Sequence, residues 1–209
     1  MKPSLLLITG WAYGSAAMQP LADALSSDFT TRILSGAQVL DQEPLPPADA
    51  VIGWSMGGML AGERLPASCK KLVLLSSTAR FCSTDEYPCG VHEKVLRRMI
   101  LQLNRSPAAV LADFYQRAGL TPAEPYPELS QQQLVDGLNY LLTNDLRQIA
   151  SQINIPVLLL HGEQDAIIPP EASDWLARHL PQATSQRIPS EGHCIDALAI
   201  NANIRHFLS

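Results

Sequence analysis

The stretch Val51-Ile52-Gly53-Trp54-Ser55-Met56-Gly57-Gly58 decides the reading of this chain. A short apolar run ends in G-x-S-x-G and leads into a segment of helical character, the pattern of a nucleophile elbow. In such a turn the serine takes a strained backbone conformation, and its neighbours two positions away come into contact. Gly53 and Gly57 meet that demand by carrying no side chain, and Gly58 lets the next helix pack closely on the sheet. The helix start also aims backbone N–H groups at the serine, where they can hold a developing negative charge. Composition alone yields a G-x-S-x-G in roughly one chain of this length in fifteen. The motif therefore needs its setting, and a glycine-rich turn with an idle serine is the alternative to be displaced.

The 209 residues fit one domain, and a chain of that size buries about 70% of its unfolded surface. A hydrophobic content of 46% indicates a compact globular protein. The net charge of −5, with no basic stripe, weighs against a nucleic-acid binder. Cys69, Cys82, Cys89 and Cys194 lack paired metal-ligand spacing and read as reduced thiols, and the pattern asks for no metal or other cofactor. The apolar run 5–8 is too short for a signal peptide and passes straight into a glycine loop. No segment reaches the length of a membrane span. The expectation is a soluble, cytoplasmic monomer.

Taken in order, the chain predicts strands at 5–9 and 31–34, the elbow strand at 50–53, and further strands at Lys71–Leu75, 156–161 and 185–188. Continuous apolar runs of this kind fit a parallel sheet covered by helices on both faces. Helices are expected at 18–25, 56–64, 171–180 and 195–208. The crossover 36–48 carries Pro44, Pro46 and Pro47, which leave little room for a full helix. Between 80 and 150 the pattern turns all-helical, near 92–103, 107–118 and 130–139, with a proline-rich break at 121–127. Such an insertion reads as a lid, giving a single domain with its core at 1–79 and 151–209.

A serine nucleophile needs a base, and the base needs an orienting acid. In an elbow sheet the order is nucleophile, acid, base, with the last two just beyond late strands. Asp165 follows the strand ending near His161, and His193 follows the strand ending near Ile188. These are the expected acid and base. Glu163 is an alternative acid, whereas His92, His161, His179 and His206 read as structural or solvated. The backbone N–H groups of Trp11 and Met56 would form the oxyanion hole.

With these residues in place, the chain resembles the α/β-hydrolases, and among them the pimeloyl-[acyl-carrier protein] methyl ester esterases of biotin synthesis. The resembling residues are Gly10-Trp11, the elbow 53–58, Ser76-Ser77, and Phe81 with Asp85-Glu86-Tyr87-Pro88. Further along come Gly137-Leu138, Asp145-Leu146-Arg147-Gln148, His161-Gly162-Glu163-Gln164-Asp165, Pro169 and His193. The resemblance implies an α/β-hydrolase fold, a mostly parallel sheet of about six strands under a helical lid. It also implies hydrolysis of an ester carried on acyl carrier protein. The chain departs from the family pattern where Thr9 stands for the usual histidine, in the missing leading strands, and in the shortened segment 36–48. Family lids use arginines to bind the carrier. Asp113 here occupies a place expected to be basic, while Lys94, Arg97, Arg98, Arg105 and Arg117 remain.

The expected function is cleavage of a methyl or other small ester of a medium-chain acyl group, through an acyl-enzyme on Ser55. Phe81, Met99, Leu103, Leu111 and Phe114 are expected to line the acyl pocket, with Trp11 opposite. A general short-chain carboxylesterase or thioesterase is the nearest alternative. A ligand-binding module with an idle triad is the alternative from another class.

Overall fold

The computed structural model describes residues 2–41, 44–119 and 129–209. Six parallel strands form one sheet: β1 (Ser4–Ile8), β2 (Thr30–Leu34), β3 (Ala50–Trp54), β4 (Lys71–Leu75), β5 (Val157–Gly162) and β6 (Ala183–Ile188). Their order is β2-β1-β3-β4-β5-β6. The chain therefore moves outward from β1 to β2, then crosses back to place β3 on the other side of β1. In an open parallel sheet that reversal leaves a crevice at the carboxyl ends of the two strands, where ligands bind. The elbow leaves β3 and the Gly10–Trp11 loop leaves β1, so both open onto this crevice.

Burial explains the composition of the strands. β3 and β5 are buried throughout and β4 nearly so, and apolar runs make up most of all three. The edge strands β2 and β6 alternate or are half exposed, which is why Thr30, Arg32 and Gln186 are tolerated there. The weak sequence signal for β2 follows from this position.

Helices α1 (Gln19–Leu25), α2 (Gly36–Asp41), α3 (Met56–Glu63), α7 (Glu171–His179) and α8 (Ala197–Leu208) cover the sheet. The six residues of α2 are all that the proline-rich crossover accommodates among the described residues. α3 is buried from Met56 to Gly62, as befits a helix leaving the centre of the sheet.

Between β4 and β5 lie α4 (Glu93–Leu103), α5 (Pro107–Arg117) and α6 (Gln131–Thr143). Ser130 caps α6 through a reciprocal bond pair with Gln133, and Pro107 opens α5 at a position where no N–H is needed. The expected proline-rich break at 121–127 falls outside the described residues. No strand runs through the described part of this insertion. The isolated bridge between Arg80 and Asp145 joins its two ends, and the Asp145 carboxylate accepts from Arg80 Nη1 and Arg147 Nη2, each at 2.8 Å.

Candidate active site

Ser55 sits between β3 and α3 at φ 57°, ψ −122°, a conformation that non-glycine residues rarely adopt. Its surroundings fix it there. Ser55 N–H donates to the Leu75 carbonyl at 2.9 Å, and the Ser55 carbonyl accepts from Gly58 N–H at 2.9 Å and the Ser77 hydroxyl at 2.8 Å. A Cβ on Gly53 would lie 2.5 Å from Gly58 Cα. A Cβ on Gly57 would lie 2.3 Å from the Ile8 carbonyl oxygen, so Gly57 is demanded by the end of β1 rather than by Gly53. Gly58 closes the set, since a Cβ there would lie 2.4 Å from Ser77 Oγ.

The turn after β5 delivers Asp165 and the turn after β6 delivers His193. The structure brings both to Ser55. The Ser55 hydroxyl lies 3.0 Å from His193 Nε2, and His193 Nδ1 lies 2.8 Å from Asp165 Oδ2. Because a carboxylate only accepts, Nδ1 carries the proton and Nε2 is free to receive one from Ser55. His193 is completely buried and Ser55 is 5% exposed. Burial pushes the Asp165 carboxyl up, but the charge of His193 and the N–H groups of His161 and His193 more than offset it. The carboxyl therefore stays well below the ordinary carboxylate range. Glu163, the alternative acid, is exposed. Cys194 adjoins the base, yet burial pushes its thiol up to about 12, leaving it protonated and inert.

The loop after β1 faces the same serine. A Cβ on Gly10 would lie 3.0 Å from Ser55 Cβ, which puts this loop against the nucleophile. With no histidine at position 9, other groups support it. The Thr9 hydroxyl donates to the Tyr13 carbonyl at 2.9 Å and accepts from Gly36 N–H at 3.3 Å. The Tyr115 hydroxyl holds the Ala12 carbonyl at 2.7 Å, where Ala12 has φ 64°. Trp11 Nε1–H donates to the Leu134 carbonyl at 2.8 Å. Gly137 makes room for that indole, because a Cβ there would lie 2.6 Å from Trp11 Cδ1. Two helices of the insertion, α5 and α6, thus brace the loop that carries the Trp11 N–H.

A cavity of about 770 Å³ rises from Ser55 into the insertion. Trp11, Phe81, Met99 and Phe114 line it, as do Leu96, Val110, Leu138 and Leu141. Leu103 and Leu111 do not. On α5 the lining residues are Ala109, Val110, Asp113, Phe114 and Arg117, a three-and-four spacing that leaves Leu111 on a different face. Leu103 is fully buried in the core at the end of α4. Arg98, Arg105 and Arg117 also line the cavity, and Asp113 pairs with Arg117 at 2.9 Å. Arg97 lies off this cavity lining and pairs with Glu93 at 3.4 Å.

Sequence reasoning passed over several supporting residues. Trp54, the unspecified position of the motif, donates its indole N–H to the His193 carbonyl at 3.0 Å and so anchors the base. His161 is completely buried, with Nε2 3.0 Å from Asp165 Oδ2. Its place at a strand end next to the acid turn was the available signal. Nothing in the sequence marks Tyr115 as a partner of Ala12, 103 positions away. Of the other histidines, His92 caps α4 and His179 stacks on Trp175 with ring centres 3.7 Å apart.

This fold and this edge-of-sheet arrangement define a class. The chain belongs to the α/β-hydrolase fold family, whose model matches residues 10–195. It is similar to the pimeloyl-[acyl-carrier protein] methyl ester esterase of Nitrosomonas europaea, at 32% identity over 91% of this chain and 88% of that one. The protein of the same name from Aromatoleum aromaticum is 29% identical over 92% of this chain and 91% of its own. Among solved structures, a bromoperoxidase from Bacillus anthracis superposes with a TM-score of 0.81 at 18% identity, covering 100% of this chain and 92% of that one. An enol-lactonase from Burkholderia xenovorans gives 0.79 at 18% identity over 100% and 92%. These last two likenesses concern the fold. No helix among the described residues is long and apolar enough to cross a membrane.

Proposed function

We propose that this chain is a serine carboxylesterase that hydrolyses a methyl or other small ester of a medium-chain acyl group. The observation that carries the reading is the Asp165–His193–Ser55 relay, with contacts of 2.8 and 3.0 Å, at the foot of a mainly apolar cavity. In the reaction His193 Nε2 takes the Ser55 proton as Oγ attacks the ester carbon, while Asp165 holds the imidazole in its Nδ1–H form and stabilises the imidazolium. The oxyanion that develops is held by the N–H groups of Met56, at the start of α3, and of Trp11. Neither N–H is engaged by another described residue. His193 then returns the proton to the departing alcohol. A water activated by the same histidine cleaves the acyl-enzyme.

Residues 80–150 act as a lid over the core segments 1–79 and 151–209, and the acyl chain lies among Trp11, Phe81, Met99 and Phe114. The names of the relatives favour a pimeloyl-type methyl ester on acyl carrier protein, a substrate met in biotin synthesis. Arg98 and Arg105 on the cavity wall are suited to the acidic carrier. The protein works as a monomer in the cytoplasm, in keeping with its four free thiols.

The test is a panel of free and carrier-linked esters assayed with wild type and Ser55→Ala. Turnover of methyl esters of six to eight carbons that disappears in Ser55→Ala supports the reading. Equal turnover in the variant rejects it.

A further inference from the structure

His161 is buried at the same edge of the sheet and has no part in the steps described so far. Its ring is fully enclosed, and each nitrogen has a defined neighbour. Nε2 donates to the Ile168 carbonyl at 3.1 Å and stands 3.0 Å from Asp165 Oδ2. Both neighbours are acceptors only, so Nε2 carries a proton. Nδ1 lies 2.6 Å from Ser173 Oγ, a hydroxyl able to donate to it. The neutral imidazole is thus satisfied on both sides.

The consequence lies at Asp165. Its Oδ1 accepts from the N–H groups of Ile167 at 2.8 Å and Ile168 at 2.9 Å. Its Oδ2 faces two histidines at once, His193 at 2.8 Å and His161 at 3.0 Å. A donor on the oxygen that faces the imidazolium withdraws part of the charge that would stabilise it. Other charged groups on the adjoining elements lie farther out. Arg187, paired in register with His161, forms an ion pair with Asp174 of α7 at 2.7 Å. Glu163 and Glu171 are exposed, and the Glu191 carboxylate accepts from Asp196 N–H at 2.9 Å. Cys194 keeps its proton.

We propose that His161 is a positioning residue for the relay: its Nε2–H, shared between the Ile168 carbonyl and the adjacent Asp165 Oδ2, steadies that oxygen and, because the oxygen also serves His193, keeps the general base neutral to lower pH. Ser173 sets the tautomer that makes this possible. The proposal rests on the assignment of Ser55, His193 and Asp165 as the reacting set.

The experiment is the pH profile of kcat/KM on a soluble p-nitrophenyl ester for wild type, His161→Leu and His161→Gln. In His161→Leu the carboxylate charge is concentrated on His193, and the acid limb moves up by roughly one pH unit. The same change lowers kcat about tenfold through misplacement of the relay, with KM little altered. In His161→Gln, whose amide N–H reaches the place of Nε2, the limb returns to the wild-type position and most of the rate with it. A limb unmoved in His161→Leu, or moved equally in both variants, overturns the proposal.

Should the leucine variant not fold, nitrogen-15 spectra of the wild-type imidazoles decide. His161 protonated at Nε2 alone at neutral pH supports the proposal, and a proton on Nδ1 overturns it. Ser55→Ala separates this idea from its foundation. Activity retained in that variant removes the reacting set, whereas the His161 tautomer stands or falls independently.

Discussion

At the carboxyl edge of the sheet, the groups around Ser55 are placed by backbone. Strand ends set their spacing, glycines permit the close approaches, and hydrogen bonds to carbonyls hold the strained turn. In the helical insertion the reverse holds. The backbone of α4, α5 and α6 is ordinary helix, and what matters is which side chains the helical stripe of α4 and α5 turns towards the cavity. Under the proposed function, the first region carries the reaction and the second the choice of substrate. They meet at Trp11, whose N–H belongs to the first and whose indole is anchored by the second.

Substitutions at the sheet edge should therefore abolish chemistry, and those in the insertion should only redistribute it. Ser55→Ala and His193→Ala are each expected to lower kcat about a million-fold, and their combination little further, because the three act as a unit. Asp165→Asn should cost about ten-thousand-fold. Steady-state kinetics on the best ester checks all three. A million-fold loss from any substitution on α4 that leaves the protein folded would break the comparison.

Gly57→Val presses a side chain onto the Ile8 carbonyl and should cost several kcal/mol of stability. Thermal melts followed by circular dichroism will show it. A melt like the wild type's would mean that Gly57 is not pinned between α3 and β1.

Tyr115→Phe tests the place where the two regions touch. Losing its bond to the Ala12 carbonyl frees the loop that carries the Trp11 N–H. The loss of about 1 to 1.5 kcal/mol of support should lower kcat about tenfold with KM nearly constant. A change in KM alone would make Tyr115 a pocket residue instead.

How much of this was legible in the sequence divides along the same line. The elbow and the turns that carry Asp165 and His193 stand out because a sharp turn admits few residue types and strand ends announce themselves by their apolar runs. The described helices of the insertion were legible too, from the helical patterns near 92–103, 107–118 and 130–139. What the sequence hid is pairwise. Leu111 was expected in the cavity because apolarity alone does not say which face of α5 turns inward. The bonds of Trp54 to His193 and Tyr115 to Ala12, and the 3.0 Å contact of His161 with Asp165, each join residues whose nearness only the folded chain creates. Position 9 is instructive in another way. Threonine there removes one support of the loop, and the insertion supplies others that no local pattern foretells.

Within the insertion the effects become smaller. Burying a methylene contributes about 0.8 kcal/mol, so each added carbon of the acyl chain should raise kcat/KM threefold to fourfold until the cavity is full. Phe114→Ala should flatten that slope while leaving acetyl ester turnover nearly intact. Rates independent of length from acetyl to hexanoyl would remove the cavity from the account. Smallest of all should be the carrier's contribution. Arg97 is engaged by Glu93 and Arg117 by Asp113, and Lys94 lies off the cavity lining, which leaves Arg98 and Arg105 on the cavity wall. Their charge reversal should erase a modest, salt-sensitive preference for carrier-linked over free ester. A preference that survives the reversal would move the docking site off this cavity.

Ser55 is the proposed nucleophile, and His193 makes it one. Intact-mass analysis after treatment with a fluorophosphonate measures this directly. One adduct per chain is expected, located on Ser55, absent in Ser55→Ala and formed about a thousandfold more slowly in His193→Ala, by the contribution of the missing base. An adduct on another residue, or equal labelling rates with and without His193, would contradict it.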